Sequence, residues 1–100
     1  MKIMSHLPNE IQNIVNTYIP KNGEYEVFLF GSRVKGDYNK YSDYDIGIRG
    51  KKPFPRTDFL KIQSELRELP YLIDLVDFYG TDIPFQTIAT QYTQPWNNKE

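Results

Sequence analysis

The sequence predicts an α/β domain in which a small mixed sheet is flanked by helices, and three observations carry that expectation. Apolar residues recur at helical spacing in two stretches. Short apolar runs bounded by Gly, Pro and Asp read as strands. The two patterns alternate along the chain in the order helix, strand, strand, helix, strand, helix. With 100 residues, 39% hydrophobic and 25% charged, the chain has the composition of one globular domain. A domain of about 100 residues buries roughly two thirds of its chain surface, which leaves little material for a separate substrate-recognition domain. A large substrate therefore needs help from a partner.

From Pro8 to Ile19 the residues Ile11, Ile14, Val15, Tyr18 and Ile19 form one apolar stripe, Pro8 suits the first turn, and Pro20 and Gly23 stop the helix. Glu26 to Phe30 is short and rich in Val, Phe and Leu, a buried strand that runs into Gly31-Ser32. Tyr44 to Ile48 reads as a second strand paired with the first. Thr57 is placed to cap a helix from Asp58 to Leu69, with Phe59, Ile62, Leu66 and Leu69 inward and Pro70 closing it. The run Leu72 to Phe78 is too short and too apolar for a surface helix and is expected to be a central strand. Asp82 and Pro84 suggest a last helix from Pro84 to Gln91, so that residues 1–94 form the domain and 95–100 a polar tail.

Composition narrows the chemistry. The net charge is -1, with 12 basic and 13 acidic residues, and no basic tract is long enough to follow a phosphate backbone, so nucleic acid is disfavoured as a ligand. Without cysteine, and with His6 the only histidine, thiolate and histidine-rich metal sites are excluded. Hard, oxygen-ligated metals remain. The N-terminal stretch lacks a leader's apolar segment and nowhere do about eighteen apolar residues run together, so a cytoplasmic protein with no membrane segment is expected.

A carboxylate within an apolar strand is costly unless a cation compensates it. The two-residue spacing of Asp43 and Asp45 sends both side chains to one side of the second strand, and Asp74 on a neighbouring strand can project toward them. Aspartate oxygens suit Mg²⁺, whose shell is completed by water and substrate phosphates. In two-metal transfer Asp43 and Asp45 would bridge the ions and Asp74 would complete the one on the nucleophile side. Gly31 permits close backbone approach to phosphate, Ser32 offers a hydroxyl, and Arg33 and Lys35 add positive charge.

Each signal has a plainer reading. Asp43 and Asp45 alone would pass for a surface turn that opens a strand, Asp77 competes with Asp74, and Ser42 is explained as a turn residue. Arg33 and Lys35 serve equally as solvated charges, His6 as a structural residue, and Tyr92 and Trp96 either anchor a partner or pack back on the domain.

The segment GSRVKGDYNKYSDYDIGI, residues 31–48, resembles the Gly-Ser, Gly, Ser-Asp-x-Asp signature of the DNA polymerase β-like nucleotidyltransferase superfamily. Small size and the strand Ile73 to Val76 make the chain similar to the minimal nucleotidyltransferases that act as antitoxins beside HEPN toxins. The likeness spans roughly Val27 to Asp77. It implies the polymerase β-like fold, metal binding and catalysis by Asp43, Asp45 and Asp74, nucleotide phosphate contact by Gly31 and Ser32, and a loop shaped by Gly36. The implied reaction is Mg²⁺-dependent transfer of a nucleoside monophosphate, AMP from ATP, to a hydroxyl, with a tyrosine of a HEPN-type helical partner as acceptor. The alternative is an antitoxin that binds nucleotide without turning it over and neutralises its partner by direct contact.

Overall fold

In the computed structural model the described residues are 7–31, 43–81 and 93–96. They form helix α1 (Asn9–Tyr18), strands β1 (Tyr25–Phe30) and β2 (Tyr44–Gly50), helix α2 (Arg56–Leu66), strand β3 (Ile73–Asp77), a 3-10 turn at Phe78–Gly80 and a short strand β4 (Thr93–Pro95). The predicted helix from Pro84 to Gln91 lies outside the described residues.

Helix α1 starts where Pro8, with its φ fixed near the helical value, leaves a carbonyl that accepts the N–H groups of Ile11 and Gln12 at 3.1 and 3.2 Å. It ends as Ile19 turns extended ahead of Pro20. Helix α2 begins at Arg56 with Pro55 in the capping position, two residues earlier than Thr57 would have set it. Past Leu66 the tighter bonds Glu68 N–H to Glu65 O and Leu69 N–H to Leu66 O, both 3.1 Å, wind the chain down to Pro70, so the helix proper is shorter than expected.

The sheet order is β3-β2-β1-β4. Strands β1 and β2 are antiparallel in the register Tyr25↔Gly50 to Phe30↔Asp45, β2 and β3 run parallel with α2 as the crossover, and β4 lies antiparallel to β1. The sheet is mixed and flanked by helices, as the sequence predicts. One expectation is corrected: among the described residues β3 is an edge strand of the sheet, not a central one. Ile73 and Leu75 pack on the helix side and Val76 against the opposite aromatic cluster, whereas Asp74 is exposed.

Strand alternation divides the apolar residues between two layers. Val27, Leu29, Ile46, Ile48 and Leu75 pack with Ile11, Val15, Ile62 and Leu66 of the helices into the main core. On the opposite face Phe28, Phe30 and Phe78 form an aromatic cluster with centroids 5.2 to 6.0 Å apart. Gly47 makes room for it, since a Cβ there would lie 2.5 Å from the Phe28 ring and 2.8 Å from Phe78.

Strand β4 was not expected from sequence, and it draws in two residues assigned to a polar tail. Pro95 pairs with Phe28, tolerated because β4 is at the sheet edge. Trp96 donates its backbone N–H to Val27 O at 3.2 Å and its indole N–H to Asn16 Oδ1 at 2.8 Å, and its ring packs on the main core. Trp96 thus packs back on the domain; Tyr92 and residues 97–100 lie outside the described residues.

Candidate active site

Strand register brings the carboxylates into line. Phe30 at the end of β1 is the partner of Asp45 on β2, and Asp45 is the partner of Asp74 on β3. Because alternate residues share a face, Asp45 and Asp74 stand on the side away from the two helices, and Asp43 has the parity of Asp45. The register sets Asp45 and Asp74 side by side; Asp43 precedes β2, outside the paired residues, and is assigned to the same face by parity alone.

Beside this row the chain bends sharply. Gly31 has φ +82°, in the left-handed region that glycine alone enters readily. A Cβ on Gly31 would collide with Oδ2 of Asp45 and lie 3.1 Å from its Cγ. The backbone of the bend therefore rests directly against the Asp45 carboxylate. Ser32, Arg33, Lys35, Gly36 and Ser42 lie outside the described residues.

Asp45 is half-buried, while Asp43 and Asp74 are exposed. Burial, then the negative charges of Asp74 and Asp43, push the Asp45 carboxyl up from 3.8 to about 6. No cation partners any of the three among the described residues. Nor are three acidic groups drawn tightly enough there to form a closed ligand cage. The charges of Asp74 and Asp43 act on Asp45 in the same sense, each disfavouring its ionised form.

Asp77 is separated from this site by its parity. It lies on the helix side, where one carboxylate oxygen accepts the Phe54 N–H at 3.0 Å and the other the Tyr79 N–H at 3.1 Å. It caps the 3-10 turn and ties β3 to the segment that leads into α2. Of the two aspartates that compete in the sequence, Asp74 faces the other carboxylates and Asp77 is structural.

Two tyrosines that sequence patterning passed over help to set the spacing. The Tyr44 N–H donates to Leu72 O at 2.8 Å, and the Tyr44 and Tyr71 rings meet edge to face at 5.7 Å. Tyr44 lies between Asp43 and Asp45, and Tyr71 lies just before β3, so this pair pins the two carboxylate-bearing strands together at the site. The available signal was an aromatic residue beside each acidic segment.

Residues 9–95 match the family model of the nucleotidyltransferase domain. The chain is 38% identical over 80 residues to a probable protein adenylyltransferase MntA of Haemophilus influenzae, covering 78% of this chain and 68% of that protein. Its fold is similar to a toxin-antitoxin crystal structure with AMP-PNP, at TM-score 0.67 and 20% identity over 92% of this chain and 73% of the other. It is also similar to a chain in the complex of a tri-AMPylated Shewanella oneidensis HEPN toxin with its MNT antitoxin, at TM-score 0.61 and 20% identity over 91% of this chain and 69% of that one.

Proposed function

The chain belongs to the nucleotidyltransferase domain family, and from that membership we propose that it transfers AMP from ATP to a tyrosine hydroxyl of a HEPN-type partner toxin, acting as the antitoxin of the pair. The observation that carries the reading is the half-buried Asp45 carboxylate, packed against the Gly31 bend in one row with Asp74 and without a cation partner among the described residues.

In this proposal Asp43, Asp45 and Asp74 would hold Mg²⁺, with Asp74 completing the ligands on the nucleophile side. The metal, when bound by these carboxylates, would supply charge neutralisation at the α-phosphate. Gly31 lets the backbone approach the triphosphate, and Ser32 and Arg33, which follow it in sequence, add a hydroxyl and a charge for phosphate oxygens. The acceptor oxygen bonds to the α-phosphorus as the bond to the bridging oxygen breaks. Pyrophosphate leaves with that electron pair, and the hydroxyl proton passes to the Asp74 carboxylate. No covalent intermediate on the protein is needed, because positioning and charge neutralisation carry the step. The similarity to a probable protein adenylyltransferase and to an antitoxin in complex with a tri-AMPylated HEPN toxin supports the choice of acceptor. No described helix is long and apolar enough to cross a membrane.

Incubation with ATP, Mg²⁺ and a HEPN-type partner, followed by intact-mass measurement of that partner, tests the reading. A mass gain of whole AMP units, lost in Asp45→Asn, is the expected result. Neutralisation of the toxin with no mass change would replace it with the non-catalytic antitoxin.

A further inference from the structure

Strand β3 is bonded to β2 along one side, and among the described residues nothing pairs with its other side. Two of the three large exposed hydrophobics among the described residues bracket this edge, Leu72 at 62% and Tyr79 at 52% exposure. Exposed strand edges are ordinarily guarded by charge or proline. Of the two aspartates in β3, Asp77 is turned to the helix side and occupied by the Phe54 and Tyr79 N–H groups, which leaves Asp74 as the exposed charge.

A cleft of about 370 Å³ opens beside the same edge, between β3 and the end of α2. Its walls include Leu66, Tyr71, Leu72 and Asp74, with Gln63 and Arg67 as further polar groups. Arg67 is exposed, and its guanidinium has no carboxylate partner among the described residues.

We propose that this edge and its cleft bind an extended peptide segment of the protein acceptor by strand addition, with an acidic side chain of that segment set against Arg67. The proposal rests on the transferase reading above. An added strand lies about 4.8 Å from β3. The residue opposite Asp74 then continues the row Phe30, Asp45, Asp74 by one step and presents its side chain on the carboxylate face. Its neighbour in the added strand points to the helix side, where the cleft and Arg67 lie. Main-chain hydrogen bonds would supply affinity, while the hydroxyl beside Asp74 and the acid against Arg67 would supply selectivity. The occupant follows from charge complementarity at Arg67 and from the continuity of this edge with the carboxylate row. A single arginine beside Asp74 and Glu68 gives a phosphate backbone little to follow.

The probe is a synthetic peptide of about nine residues, a length typical of a longer strand, alternating Thr and Val around a central Tyr-Glu pair. Amide shifts of the ¹⁵N-labelled full chain are followed during its addition, without ATP. Saturable shifts confined to Ile73–Asp77 and the cleft are expected. N-methylation of one alternate row of peptide amides should abolish them, whereas methylation of the other row should not. Arg67→Glu should weaken binding about tenfold and favour a peptide with Lys in place of Glu. Absence of shifts at β3, equal binding by both N-methylated peptides, no effect of Arg67→Glu, or an oligonucleotide that moves the same amides at equal concentration would overturn the proposal. Repeating the mixture with Mg²⁺ and ATP separates the two readings: binding without AMP on the peptide or on a HEPN-type partner sinks the transferase, and AMP transfer without binding at β3 sinks the docking edge.

Discussion

Gly31 and Asp45 are in contact across the β1–β2 register, so close that the smallest side chain on Gly31 would displace the Asp45 carboxylate. The bend that is to cradle phosphate and the carboxylate that is to hold metal therefore form one unit. Gly31→Ala should suffer twice, from a left-handed backbone costing about 1–2 kcal/mol and from a shifted carboxylate. Loss of ATP binding together with a lowered Tm is the expected outcome in calorimetry and thermal melts.

Asp45 makes the metal-free protein sensitive to pH. Its folded pKa of about 6 lies above the unfolded 3.8, so between these values the folded state holds the proton more firmly. The resulting stability is fully present below 3.8 and is lost as the pH rises through about 6. Asp45→Asn should thus raise the Tm of metal-free protein near about pH 8 and change it little near about pH 4. Melts in a chelator at both values check the sign.

Asp74 and Asp77 should fail in different ways. Asp77→Ala orphans the Phe54 and Tyr79 N–H groups and should cost about 1–3 kcal/mol of stability in denaturant unfolding. The folded fraction should still bind ATP. Asp74→Asn should melt like the parent and lose AMP transfer by a factor of about a hundred or more. A stable, inactive Asp77 variant beside an active Asp74 variant would reverse the assignment.

Much of this was legible in the sequence because strand parity is a strict code. The spacing of Asp43 and Asp45 fixes a common face, and alternation within β3 fixes which of Asp74 and Asp77 can join them. Periodicity located α1 and α2, but not their ends: Pro55 opens α2 ahead of Thr57, and tightened turns end it at Leu66. Strand β4 was hidden because three residues ending in proline carry no alternation to read. The edge position of β3 was hidden because Ile73 and Leu75 pack on the helix side and Val76 against the aromatic cluster, so the run is apolar on both faces as a central strand would be. The Tyr44 and Tyr71 pairing depends on a long-range contact that neither segment announces alone.

Trp96 ties the last strand to α1 by donating its indole N–H to the Asn16 side-chain Oδ1. Trp96→Phe keeps much of the packing and gives up one hydrogen bond, a loss of about 1 kcal/mol. As the chain's one tryptophan, Trp96 also makes fluorescence a reporter of this junction. Unfolding followed by tryptophan emission and by far-UV dichroism should coincide if β4 is integral to the domain.

Calorimetric titration of the chain with ATP, with Mg²⁺ and then in a chelator, probes the carboxylate row most directly. Binding that needs Mg²⁺ in the parent and vanishes in Asp45→Asn is the predicted result. Equal ATP affinity with and without the metal, or undiminished Mg²⁺-dependent binding in that variant, would contradict it.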